Sequence, residues 1–277
     1  MRATHIALLA LLLNLSLVVH ACAGPTAPVS TTDRTSQQAA SSTKTTASQS
    51  PLYRVSPGSP EELRKLFRYN GRAMPLVSAH RGGAVPGYPE NCIATFEHTL
   101  RHTFSILEID LRTSKDGRIV LHHDATLDRT TTGTGPVAEK TLAELKKLRL
   151  KDRDGEVTEY RMPTLDETLE WARGKTVLIL DKKDVPVKVC VDKIEEHDAE
   201  AYAMVMAYSF QEVQTVHDLN PDIMMEAMIG NRRRFKGFDE TSVPWNRVVV
   251  FVGHKPPQDR QLLEMIHEKG ACCMAGT

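Results

Sequence analysis

The sequence predicts an α/β fold in which a parallel sheet is covered by helices, of the (β/α)8 barrel type. Three observations predict it. Short, near-continuous apolar runs recur along the chain, at 176–180, 202–208, 223–229 and 247–252, as strands buried on both faces require. Helical segments separate them, three opened by a capping-box pattern: Thr141 to Glu144, Thr164 to Glu167 and Ser209 to Glu212. The chain has 277 residues, enough for one domain with a large core. Lys plus Arg equals Asp plus Glu at 35 each, so no net field draws the protein to nucleic acid or to an anionic membrane.

In chain order, Arg2 precedes a mostly apolar run at 6–19, interrupted by Asn14 and Ser16. It is too short to span a bilayer but suits the core of a secretory signal. The run ends in Val19-His20-Ala21-Cys22, which resembles the lipobox of bacterial lipoproteins, although His20 is an unusual occupant of its middle position. Residues 1–22 are therefore expected to be a signal, with Cys22 as the site of lipid attachment. The alternative is an ordinary cleaved signal ending near Ala21 or Ala23. Residues 23–58 are rich in Ser, Thr and Pro and read as a flexible tether. Residues 59–74 carry a short helix, with Ser59 as N-cap and Pro60 at its first position.

The barrel domain is expected over 75–277. A strand at 76–80 is broken by Arg81-Gly82-Gly83, and Pro89-Glu90-Asn91 starts a helix whose inward stripe is Ile93, Phe96, Leu100 and Phe104. Residues 105–124 read as a hairpin, because Asp116-Gly117 is a strong two-residue turn signal. That turn sets Thr113 opposite Val120 and Asp110 opposite His123. Strand alternation puts Glu108 and Asp110 on one face. With 271–274 included and the return arm 119–123 excluded, seven parallel strands result. A closed barrel has eight and usually ~250 residues. The expectation is thus a barrel lacking its last strand and helices at the C-terminus. Cys92, Cys190, Cys272 and Cys273 show no zinc-site spacing and are read as mostly buried thiols without a disulfide.

In such a barrel the chemistry sits at the C-terminal ends of the strands. There the sequence gathers His80 and Arg81, Glu108 and Asp110, Asp181 and Lys183, and His123 from the hairpin. Each alone has a bland explanation: a solvated sheet face for Glu108 and Asp110, a surface ion pair for Arg81, a solvated turn for Lys183, a helix cap for Asp181. Their convergence points to chemistry. Three carboxylates suit a hard cation such as Ca²⁺ or Mg²⁺. Two histidines can serve as general acid and base, and two cations can meet the charge that develops on a phosphoryl group.

His80-Arg81-Gly82, Pro89-Glu90-Asn91, Glu108-Ile-Asp110, Ser114-Lys-Asp-Gly117, His123-Asp124, Leu127-Asp-Arg-Thr-Thr131 and Pro163-Thr-Leu165 follow one another here in an order and spacing that resembles the glycerophosphodiester phosphodiesterase family. The likeness is dense over 76–169 and thinner beyond. It implies a TIM barrel and one divalent cation, commonly Ca²⁺ or Mg²⁺. It also implies hydrolysis of glycerophosphodiesters to sn-glycerol 3-phosphate and an alcohol such as choline or ethanolamine. By that resemblance His80 and His123 are the acid/base pair, Glu108, Asp110 and Asp181 hold the metal, and Arg81 and Lys183 face the phosphate. Two positions depart from the family: Asp181 where Glu is usual, a ligand one methylene shorter, and Cys92 where Thr is usual. A lysophospholipase D or sphingomyelinase D-like enzyme is the competing reading, which an apolar rim at Val85, Pro86 and Tyr88 would favour. A lipoprotein that binds glycerophosphodiesters or a surface without turnover is the non-enzymatic one. The expected partner is a small-molecule substrate, with no nucleic acid or protein partner implied, and the expected location is outside the cytoplasm, periplasmic or at the cell surface on a lipid anchor.

Overall fold

A computed structural model describes residues 51–72, 76–255 and 259–276. The expected signal and Cys22 lie outside the described residues. Seven parallel strands curl into one sheet in the order β1 (Val77–Ala79), β2 (Ser105–Thr113), β4 (Leu178–Asp181), β5 (Ala203–Ala207), β6 (Met225–Met228), β7 (Val248–Phe251) and β8 (Cys273–Met274). β3 (Ile119–Leu121) stands off this path, antiparallel to β2. Among the described residues β1 and β8 do not pair, so the sheet is an open half-barrel.

Both faces of the strands are buried, which is why they read as continuous apolar runs. Leu178, Leu180, Val205, Met225, Ala227 and Val250 pack outward on the helices. The principal helices are α2 (Ile93–Leu100), α4 (Leu165–Ala172), α5 (Val187–Glu196), α6 (Phe210–Leu219), α7 (Arg232–Asp239) and α8 (Arg260–Glu268). The alternate residues Ile179, Met204, Met206, Met224 and Val249 face the interior. That interior is filled from below by Leu63 of α1 (Pro60–Leu66) and by Phe67. The α1 cap is as expected, the Ser59 hydroxyl accepting from the Glu62 amide at 3.2 Å. The backbone beyond it bonds to β8's approach, Tyr69 N donating to Gly270 O at 2.9 Å. No helix among the described residues is long and apolar enough to cross a membrane.

Four expectations need correction. The last part of the expected tether is bound to the barrel: Tyr53 N donates to Leu100 O at 2.7 Å and Val55 N to Lys175 O at 3.0 Å. Phe104 lies beyond α2 and is 53% exposed, tilted against Tyr53 with ring centroids 4.9 Å apart. At Ser209 only half of the capping box forms, because the Glu212 carboxylate accepts from Tyr208 N and pairs with Lys182, each at 2.8 Å. The hairpin turn is one residue longer than expected. Ser114 N donates to Arg118 O at 2.9 Å across a loop of three, with Gly117 at φ 75°. Asp116 is drawn aside, its Oδ1 accepting from Ser114 Oγ at 2.7 Å and from Leu142 N at 2.9 Å, at the start of the single-turn α3 (Leu142–Leu145). The register therefore pairs Arg112, not Thr113, with Val120. Asp110 faces His122 rather than His123, and His122 N donates to Asp110 O at 3.0 Å.

Candidate active site

β4 ends at Asp181, which pairs in register with Asp110 of β2. Glu108, Asp110 and Asp181 are all buried, and one carboxylate oxygen from each lies within 4.8 Å of the others. Three acids this close are kept in place by donors. Arg81 N donates to Glu108 Oε2 at 2.7 Å. Asn91 holds Asp110 from two sides, its Nδ2 donating to Oδ2 at 2.7 Å and its Oδ1 accepting the Asp110 amide at 3.0 Å. The Lys183 ammonium sits between Asp110 Oδ1, at 2.9 Å, and Asp181 Oδ2.

The three residues that supply these donors share a backbone feature. Arg81, Asn91 and Lys183 have φ of 52°, 55° and 42°, a left-handed conformation that non-glycine residues adopt at a cost. Such strain persists only where surrounding contacts fix it, and here each strained residue bonds to an acid of the trio. Gly82 lets the Arg81 turn press against α2: a Cβ on it would stand 2.2 Å from the Phe96 ring.

Burial, then the charges of Asp110 and Asp181, push Glu108 up to about 8. Lys183 and Arg81 offset part of the charge of the three acids, and the crowding that raises Glu108 is what a bound cation would relieve. A buried all-oxygen donor set of that charge fits a hard divalent cation. A cation bound at 2.3–2.6 Å holds opposed ligand atoms up to ~5 Å apart, so the shorter Asp181 can serve beside the other two.

The two histidines stand at this end of the barrel. His80 is mostly exposed, its Nε2 4.0 Å from Glu108 Oε2. Desolvation, Arg81 and the nearby His123 hold its pKa below the usual value against the pull of Asp110 and Glu90. His123 Nδ1 lies 2.7 Å from Asp124 Oδ1. Arg129 chelates Asp124, with Nε to Oδ2 at 2.7 Å and Nη2 to Oδ1 at 2.9 Å, and holds the Asp124 carboxyl far below its ordinary range, with His123 assisting. Arg129 also grips Glu90 at 2.8 and 3.0 Å, and Glu90 in turn takes Arg81 at 3.1 Å. One chain of charges thus runs from Arg81 to His123. Arg81 and Lys183, expected to face a phosphate, are engaged with carboxylates, Arg81 Nε lying 3.7 Å from Asp110 Oδ2.

All seven expected barrel residues therefore meet at one end of the sheet. Sequence reasoning assigned no role to Glu90, Asn91, Asp124 or Arg129, although all four stand within motifs already singled out. Glu226, a lone acid inside the apolar run of β6, was passed over. Cys92 is buried among Val120, Leu127 and Met162 and packs, as expected. The described cysteines are free. The Tyr88 ring packs on His98, with ring centroids 4.0 Å apart.

Residues 80–273 match the glycerophosphoryl diester phosphodiesterase family. A glycerophosphodiester phosphodiesterase of Caldanaerobacter subterraneus is 36% identical over 149 residues, 52% of this chain and 58% of that protein. One from Bacillus subtilis is 28% identical over 169 residues, 53% of this chain and 57% of that protein. The chain thus spans less than two thirds of the length of the curated relatives it matches. Among solved structures, a glycerophosphoryl diester phosphodiesterase from Parabacteroides distasonis superposes with a TM-score of 0.79 at 41% identity, covering 81% of this chain and 79% of that one. An Oleispira antarctica phosphodiesterase, solved with its product sn-glycerol-3-phosphate, shares the fold with a TM-score of 0.59 at 24% identity, covering 74% of this chain and 85% of that one. By the match across its barrel, this chain belongs to the glycerophosphoryl diester phosphodiesterase family.

Proposed function

We propose that the protein hydrolyses glycerophosphodiesters to sn-glycerol 3-phosphate and an alcohol, using one divalent cation and two histidines. The observation that carries this reading is the buried trio Glu108, Asp110 and Asp181, set beside a histidine hydrogen-bonded to an ionised Asp124. The trio would hold Ca²⁺ or Mg²⁺, which when bound supplies positive charge to the phosphoryl oxygens.

The remaining roles belong to the chain itself. An ionised Asp124 only accepts hydrogen bonds, so His123 carries its proton on Nδ1 and presents Nε2 to the substrate. The carboxylate fixes the ring from the Nδ1 side, and we assign His123 the protonation of the departing alkoxide. His80 has no such carboxylate bond and suits the base. It takes a proton either from the glycerol hydroxyl, giving a cyclic phosphate, or from water. Arg81 and Lys183 lie where a phosphoryl group between the histidines would draw them from their carboxylates.

The test is release of sn-glycerol 3-phosphate from glycerophosphocholine, read by a coupled assay in Ca²⁺, in Mg²⁺ and in chelator. Cation-dependent release is expected. Full turnover in chelator, or in His80→Ala and His123→Ala protein, would overturn the assignment. We place the protein outside the cytoplasm, anchored through Cys22. Incorporation of labelled fatty acid that Cys22→Ser abolishes tests this, and equal labelling of the variant refutes it.

A further inference from the structure

Strand alternation on β6 puts Met225 and Ala227 against the helices, whereas Met224 faces the interior. Glu226 shares the interior face with Met224. It is 3% exposed, and its carboxylate makes no hydrogen bond or ion pair with any described residue. A buried carboxylate without a partner is costly, so the position calls for one to arrive. Register fixes its height. Leu180 pairs with Val205, which sets Asp181 level with Met206, and Met206 pairs with Glu226. Glu226 therefore stands two strands from Asp181, ~10 Å along the sheet, close enough to feel its charge.

That spacing puts a substrate group, rather than the cation of the trio, against Glu226. Two groups flank the phosphate of a glycerophosphodiester: the glycerol and the departing alcohol. Glycerol hydroxyls call for acceptors and donors together. At this level the neighbours of Glu226 are Met206 and Val249, which offer no donor. Met206 beside it and Met228 two residues further along β6 instead offer soft, polarizable apolar surface. A carboxylate set in such a wall fits a cation whose own surface is largely hydrocarbon, and such a cation asks for no acceptor beyond the one charge.

We propose that Glu226 recognises the quaternary ammonium head group of the departing alcohol. This deepens the hydrolytic reading above and rests on it. Glu226 touches the leaving group and takes no part in the proton transfers assigned to the histidines.

The test compares glycerophosphocholine with the diester of 3,3-dimethylbutan-1-ol, which has the shape of choline and no charge. In the wild type kcat/KM should favour the choline ester. In Glu226→Gln the ratio of the two should fall ~10-fold or more, the loss expected of one charge-assisted contact. Glu226→Met should do the same, and melting curves for both variants show that they fold. An unchanged ratio overturns the proposal, whether or not both rates fall together, which is what a glycerol contact or a structural role would give. If the wild type turns over neither diester, the hydrolytic reading fails. Calorimetry with choline then still decides on Glu226: binding by the wild type that Glu226→Gln abolishes supports it, and no binding, or equal binding by both, removes it.

Discussion

Asp124 holds the Nδ1 of His123 at 2.7 Å while both of its oxygens are held by Arg129. The imidazole is thereby fixed in orientation and tautomer, its Nε2 free for a leaving oxygen. Asp124→Asn replaces the acceptor by an amide that can present a donor to the same nitrogen. We expect kcat for glycerophosphocholine to fall ~100-fold, within the span of general acid catalysis. An ester with a p-nitrophenol leaving group needs no proton and should lose far less. Equal losses on the two substrates would remove His123 from the acid role.

Cation binding is open to a readout that does not depend on turnover. A ligand that binds only the folded state at ~100 times its Kd stabilises by about 2.7 kcal/mol. Saturating Ca²⁺ or Mg²⁺ should raise the melting temperature of chelator-treated protein. Asp110→Asn and Asp181→Asn, each of which removes one charge from the trio, should lose most of that rise. Potassium at equal ionic strength should not reproduce it.

Burial raises Glu226 to about 7, with the charge of Asp181 adding to it, and raises Glu108 to about 8. Both values lie above the 4.5 of an unfolded glutamate, so the folded state holds these protons more tightly. The stability they confer is fully present below pH 4.5 and is lost as pH rises through 7 and 8. Cation-free protein should therefore melt at progressively lower temperature from pH 5 to 8.5, by an amount on the order of 3 kcal/mol for Glu226 and 4 kcal/mol for Glu108. Glu226→Gln should flatten the slope. A melting temperature that rises over this interval in the cation-free wild type would contradict the burial of both acids.

The sequence showed the ends of the strands more clearly than what joins them. His80 and Asp181 were legible because each closes an apolar run, and strand ends are where a barrel puts its chemistry; Glu108 and Asp110 were legible because they alternate onto one face. The hairpin register was missed by one residue because a side chain decided it: Asp116 bonds Ser114 and the amide of Leu142, 26 positions on. Arg129 could not be matched to Glu90, 39 positions away, since no local periodicity links a loop to a helix start. Glu226 acquires meaning only once two strand pairings bring it level with Asp181.

Two glycines of the first loop share a conformation and differ in surroundings. Gly82 and Gly87 both have φ of 81°. A Cβ at Gly82 would overlap the Phe96 ring, whereas at Gly87 it would meet nothing within 4 Å. Gly87→Ala should cost about 1 kcal/mol for the left-handed backbone alone. Gly82→Ala should cost ~3 kcal/mol or more, because Phe96 is fully buried and cannot retreat. It should also lower activity, since the same turn presents Arg81 N to Glu108. Equal denaturation midpoints for the two variants would show that the loop yields where packing says it cannot.

Leu63 tests whether the segment before the first strand belongs to the barrel's core. Its side chain is fully buried against an interior layer that includes Ile106, Met204 and Met224, at the end opposite the acids. Truncation there removes apolar contact and leaves a cavity that the strands around it cannot close, because their other faces are pinned by helices. Leu63→Ala should destabilise by about 3 kcal/mol, against a change near zero for the partly exposed Leu219→Ala. Because Leu63 touches none of the site residues, kcat measured well below the melting temperature should stay within about twofold of wild type. A loss of activity without a loss of stability would mean that this segment acts on the site directly, and the plug would have to be reassigned from structure to function.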